Sequence, residues 1–292
     1  LVHAILGLID FNSLFILPVC ACSIRVRRPF MSPIAYDPIF KGELGEDLSK
    51  RWQTIRLFLD RWCMPITEPL ADRSQDNTPL IAKAETLHGR VSPSIRQWLS
   101  LAEEAAHRRT PVIRDCLMVE PLENHVESEK ARNATIILMQ GEGDLFWTVA
   151  NSRFAEEDPP VDVYQIFDEE SPSFFCRYAS VSEFALAYLC TYNSFACHVT
   201  EAFTAHATPQ QLEEVQSWFD HALTLKSVEG RTHRFLMILE KQNVVALVNN
   251  SNRIEVSLFC EPSSLQLPSF LLSALEECVQ TRRAFRAKLE RP

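Results

Sequence analysis

The segment "GEGDLFWTVANSRFAEEDPPVDVY", Gly141 to Tyr164, decides between two folds and two kinds of chemistry. Two glycines around a carboxylate resemble the start of a phosphate loop. The three acids Glu156, Glu157 and Asp158, standing before two prolines, resemble a metal cluster. A phosphate loop, however, needs a Lys-Ser/Thr pair at a fixed offset, and Glu142 would repel a phosphate. Consecutive side chains on an extended chain point to opposite sides, so three acids in a row cannot readily close on one ion. What remains is a hairpin turn, a strand carrying Phe146 and Trp147, and an acidic Pro-Pro entry into a second strand.

Short apolar runs flank this segment on both sides: "CLMVEPL" (116–122), "ATIILMQ" (134–140), "DLFWTVA" (144–150) and "VDVYQIF" (161–167). Strands joined by such short connections form an antiparallel meander rather than parallel βαβ units.

Helical periods surround them. Leu48, Trp52, Ile55, Leu59 and Trp62 recur at steps of three and four, and a polar loop runs from Pro65 to Pro79. A short helix over Leu80–His88 breaks at Gly89, and a second opens with Ser92 as N-cap and Pro93 at its first position, turning Ile95, Trp98, Leu99 and Ala102 inward. Ser180-x-x-Glu183 and Thr208-x-x-Gln211 have the form of capping boxes. After the second box, Leu212, Val215, Phe219 and Leu223 form an inward helical face. The runs 233–240, 244–250 and 253–261 then read as strands, and a last helix runs from Pro268 to about Leu289. Arg282, Arg283, Arg286 and Lys288 at its end complement the helix dipole. The order strand, turn, strand, strand, helix thus occurs twice, over 134–195 and 234–289.

These patterns predict an α+β fold: an antiparallel β-sheet flanked by helices, with a C-terminal αβββα extension over 201–292 that can pack on the same sheet. Residues 31–79 form an N-terminal helix and loop ahead of a central domain over 80–200. Residues 1–30 read as a hydrophobic leader or an over-extended start. Within them 1–24 is apolar, but its charged run, Arg25 to Arg28, follows the apolar stretch instead of preceding it as in a signal peptide. A membrane anchor is the other reading of 1–24, since roughly 20 apolar residues can span a bilayer.

Composition narrows the function. With 46% hydrophobic residues over 292 positions the chain can bury a core without staples, and its 9 scattered cysteines contain no C-x-x-C pair. Reduced thiols in a cytoplasmic protein are expected. A net charge of -9 argues against nucleic-acid binding; it suits a basic protein partner, and it equally serves simply to keep a protein soluble. Only 7 residues are Gly, far below the usual share of roughly 7%, which disfavours ligand loops built on close backbone approach. No cofactor motif, metal-ligand spacing or G-x-S-x-G elbow is present, and Cys197, His198 and His206 match no zinc pattern. No cofactor, metal or catalytic residue is expected.

In the order of its motifs the chain resembles the SUKH superfamily, the domain of Smi/Knr-type cell-wall regulators and of many bacterial immunity proteins. "IAKAETLHGRVSPSIRQWL" is similar to the family's opening signature at Ile81, Glu85, Gly89, Pro93, Ile95, Trp98 and Leu99. Gly141, Trp147, "DPPV" (158–161) and "SVSEF" (180–184) follow in the family's order, so the likeness covers about 80–195. Two departures stand out: His88 replaces the usual Leu, and the Asn-Gly after the second helix is missing.

The resemblance implies a non-catalytic protein-binding module, immunity-type (toxin-neutralising) or scaffold, whose partner is an unknown protein such as a basic toxin domain. Its contact candidates are Glu156, Glu157, Asp158, Asp168, Glu169 and Glu170. The alternative is an enzyme with a site in the groove between sheet and helices, where Glu183, Tyr192 and His198 would converge.

Overall fold

The period-two runs and the helical runs assemble as alternating layers. The computed structural model describes residues 47–59, 78–107, 117–126, 133–140, 145–165, 173–192, 201–230, 235–241, 244–248, 253–258 and 264–289. Three helices come first: α1 (Leu48–Phe58), α2 (Pro79–His88) and α3 (Pro93–His107). Strands β1 (Glu120–Pro121), β2 (Ala134–Met139), β3 (Leu145–Ala150), β4 (Val161–Gln165) and β5 (Ser173–Tyr178) lead into α4 (Val181–Tyr192). The remainder comprises β6 (Glu201–His206), α5 (Pro209–Trp218), β7 (His221–Gly230), β8 (Phe235–Lys241), β9 (Val244–Val248), β10 (Arg253–Leu258) and α6 (Ser269–Leu289).

All strand pairs are antiparallel, and the fold is α+β as the sequence pattern requires. Strands β1 to β5 form one five-stranded sheet in chain order, and β7 to β10 with β6 form a second. The long strand β7 joins them. Its first part, His221–Lys226, pairs with β8, while Ser227 to Gly230 pair with β5, so the strand order runs without a break from β1 to β6.

Helices cover opposite faces along this array. Ile55, Trp98, Phe184 and Leu189 from α1, α3 and α4 share a core with Trp147, Val163, Leu223, Ile238, Val245 and Leu247. The other face of β8 to β10 gives Leu239, Val244, Ala246, Val248, Ile254 and Val256 to a core with Val215 of α5 and Leu271 and Leu275 of α6. Strand β9 is therefore buried on both faces, which is why "VVALV" is uniformly apolar instead of alternating. A smaller cluster of Leu122, Val126, Ile136 and Phe146 lies on the outer face of β2 and β3.

Several expectations change in detail. The run 116–122 yields only a two-residue strand, because Pro121 lacks a donor and the chain turns into a 3-10 helix at Leu122. Strands β5, β6 and β7 were not foreseen, so the C-terminal helix, three strands and helix gain two further strands. α5 stops at Trp218 and Phe219 is extended (φ -77°, ψ 140°), which moves Leu223 from the helix face into β7. In each half a helix is followed by a run of antiparallel strands and another helix: α3, β1 to β5, α4, and α5, β7 to β10, α6. Residues 1–46 and Trp62 lie outside the described residues, as does the 141–144 turn, although Gln140 N–H donates to Leu145 O (2.9 Å) at its mouth. The side chains of Arg282, Arg286 and Lys288 are likewise outside them. No described helix is long and apolar enough to cross a membrane.

Candidate functional site

Between β3 and β4 the chain makes a 3-10 turn, Asn151–Arg153, buries Phe154, and then runs through Glu156, Glu157 and Asp158. Two helix starts hold this loop by its backbone. Ser92 N–H donates to Phe154 O (3.0 Å), Ser92 Oγ to Glu157 O (2.9 Å), and Ser94 N–H to the same oxygen (3.4 Å). On the far side Val181 N–H donates to Pro159 O (2.8 Å). Ser92 is also the expected N-cap of α3, accepting from Ser94 and Ile95 N–H at 3.1 and 3.4 Å. One hydroxyl thus starts a helix and fixes the carbonyl of the acidic loop.

The three acids have three different environments. Glu156 is exposed and takes both oxygens to Arg153, at 2.8 Å each, and the hydrogen bond from that guanidinium holds its carboxyl below the usual range. Glu157 is exposed, and no side-chain partner holds its carboxylate among the described residues. Asp158 turns inward: Oδ1 accepts from Ser182 N–H (3.1 Å), while Oδ2 accepts from Ser182 Oγ (2.6 Å) and from Arg51 Nη1 (3.4 Å). It shares the capping of α4 with the local Ser180 and has little carboxylate left for a partner, so of the three only Glu156 and Glu157 face outward. Asp168, Glu169 and Glu170 lie outside the described residues.

Arg51 Nη1 also lies 3.4 Å from Ser180 Oγ and Ser182 Oγ, which are 3.0 Å apart. Of the Ser180 capping box, one half forms: Ser180 Oγ accepts from Glu183 N–H (3.2 Å), while the Glu183 carboxylate takes a backbone hydrogen bond from Ala179 rather than Ser180. Burial pushes the Glu183 carboxyl up; the charge of Arg51 opposes this and that of Asp158 adds to it. Its Oε2 is buried without a hydrogen-bond partner among the described residues. By contrast, the Thr208–Gln211 box closes in both directions, at 2.8 and 3.3 Å.

An open cleft of about 370 Å³ lies against this loop, lined by Leu48, Arg51, Glu156, Glu157 and Asp158. Its walls combine one guanidinium with three carboxylates. The groove expected to hold a catalytic site is filled where it is described: Trp98 meets Phe184 and Tyr188 edge-on at 4.9 and 5.7 Å, and Trp147 meets Tyr188 at 5.9 Å. His198 and the Tyr192 side chain lie outside the described residues, and with them the expected convergence on Glu183. His206 is exposed on β6, and among the described residues no three His, Cys, Asp or Glu could share a metal ion.

Arg51 and Ser182 escaped the sequence reading. Arg51 sits beside the core residue Trp52, which carries no sign of its distant partner Asp158, and the one local signal for Ser182 is its Ser-x-Ser spacing from Ser180. Compared with known protein families, curated proteins and solved structures, the chain matches none.

Proposed function

We propose that this chain is a non-catalytic protein-binding module, immunity-type or scaffold, that meets a basic protein surface with the outer side of the loop 151–158. The observation that carries this reading is the treatment of Glu157. Its carbonyl is fixed by Ser92 and Ser94 while its carboxylate projects into solvent beside the cleft. A charge presented on an immobile backbone loses little entropy on binding, and complementary charge accelerates encounter. The net charge of -9 and the likeness of the motif order to SUKH immunity proteins support the same reading, and scattered cysteines suit a cytoplasmic setting. A basic toxin domain, such as a cationic nuclease, is the partner class it fits.

The test is capture of purified cationic toxin domains by the full chain, with the salt concentration varied. Binding that weakens with salt and is lost in Glu157→Lys, with Glu156→Lys additive, supports the reading. Absence of binding across the panel and across a proteome-wide capture, or binding indifferent to both charge reversals, would overturn it.

A further inference from the structure

His88, the residue that replaces Leu in the likeness above, is built into the foot of the acidic loop. Its ring stacks on Phe154 with centroids 3.9 Å apart and planes inclined by 21°. Its Nε2 lies 2.9 Å from Thr135 Oγ1 on β2, and Thr135 Oγ1 donates onward to Asn151 Oδ1 at 2.8 Å. Asn151 and Phe154 bracket the 3-10 turn that leads to Glu156 and Glu157. One imidazole therefore grips both ends of that turn, at Phe154 directly and at Asn151 through the Thr135 hydroxyl.

We propose that His88 is a pH-sensitive clamp: its neutral ring holds the Asn151–Phe154 turn against α2 and β2, and protonation loosens the turn. Because the Thr135 proton points to Asn151, His88 Nε2 donates to Thr135, and an added proton must go to Nδ1. Among the described residues no acceptor is bonded to Nδ1. The charged groups on the elements meeting at His88 are Lys83 and Glu85 of α2, paired with Glu120 and with Arg96 of α3; Arg90 at the exit of α2; and, on the loop, Arg153 paired with Glu156, Asp158 paired with Arg51, and Glu157 beyond the turn. β2 contributes the uncharged Thr135. Burial holds the ring's pKa below its ordinary 6.5, and no carboxylate among the described residues offsets it.

The sign follows. In the closed loop the ring resists protonation, while in an opened loop it is hydrated and returns to its ordinary value. Opening therefore takes up a proton and grows as pH falls through about 6.5, levelling off below the closed-state pKa. The effect of this clamp on partner binding rests on the protein-binding reading; the clamp itself does not.

Amide hydrogen exchange of the full chain, corrected for intrinsic rates, tests the clamp without any partner. The readouts are Phe154 N–H, bonded to Asn151 O at 3.4 Å, and Glu156 N–H, bonded to Arg153 O at 3.0 Å. Between about pH 7.5 and 5.5 their protection falls severalfold in the parent chain and stays flat in His88→Gln, whose amide can donate to Thr135 but does not titrate. An equal fall in His88→Gln, or no fall in the parent, overturns the clamp. Should His88→Gln not fold, a nuclear magnetic resonance titration of the His88 ring decides. A midpoint that coincides with the loss of protection supports the clamp, and one that does not coincide rejects it. Loss of toxin-domain binding with the clamp intact would reject only the binding reading.

Discussion

Arg51 and Asp158 face each other across 107 positions of sequence, Nη1 to Oδ2 at 3.4 Å, with side chains only 18% and 14% exposed. Arg51 comes from the first described helix and Asp158 from the acidic loop, and their meeting point is the N-terminus of α4. There Asp158 satisfies Ser182 N–H, one of the free donors of the first helical turn, and its charge complements the positive end of the helix. Removing the carboxylate therefore does two things: it takes the acceptor from Ser182 N–H at the start of α4 and leaves a largely buried guanidinium with less compensation. Asp158→Ala is expected to cost about 2–3 kcal/mol in urea unfolding, and Arg51→Met less, because Asp158 keeps its bonds to Ser182. The two losses should fall short of additive in the double variant. Strict additivity would show that the pair is not energetically coupled.

Glu183 gives the region a second, opposite pH dependence. Its carboxyl is raised in the folded chain, chiefly by burial, so the folded state binds its proton more tightly than the unfolded state does. Stability from this group is undiminished below its unfolded pKa and declines as pH rises from there through the folded value. Glu183→Gln removes that penalty while keeping an acceptor for the backbone at Ala179. It should raise the melting temperature near pH 7 and leave it unchanged near pH 4. A gain of equal size at both pH values would mean that packing, not ionisation, is responsible.

These couplings mark the boundary of what the sequence discloses. The break at Gly89 is readable because only glycine readily takes φ near +73°; Arg90 N–H then closes a tight turn on His88 O at 2.8 Å. The Ser92–Pro93 start and the Thr208 box are readable because capping is local. Strand β7 is hidden because Leu223 satisfies two periods at once: it continues the helical series of Leu212, Val215 and Phe219, and it alternates with Leu225 in the strand. Only the extended conformation of Phe219 separates them. Strand β5 is hidden because Phe175 is inserted between its pairings Phe174–Tyr164 and Cys176–Val163, which interrupts the two-residue period of "SFFCRY". The inward turn of Asp158 has no local signal, since its partners Arg51 and Ser182 lie 107 and 24 positions away.

Ser92 couples fold to proposed contact most directly. Its hydroxyl accepts from the first turn of α3 and donates to Glu157 O, and the residue is fully buried. In Ser92→Ala the cap is lost and the Glu157 carbonyl retains only the longer bond from Ser94 N–H, at 3.4 Å. A stability loss of about 1–2 kcal/mol is expected from the cap alone. Beyond that, exchange should quicken at Glu157 and Asp158 while Trp98 and the rest of the α3 core keep their protection, since that packing does not pass through the hydroxyl. Ser92→Thr, which keeps the oxygen, should restore the loop if the added methyl is accommodated. The alanine variant should also weaken capture of a cationic partner even though no charge has changed, which separates a fixed presentation of Glu157 from simple charge attraction. Unaltered capture by a folded Ser92→Ala would show that the rigidity of the loop contributes nothing to binding.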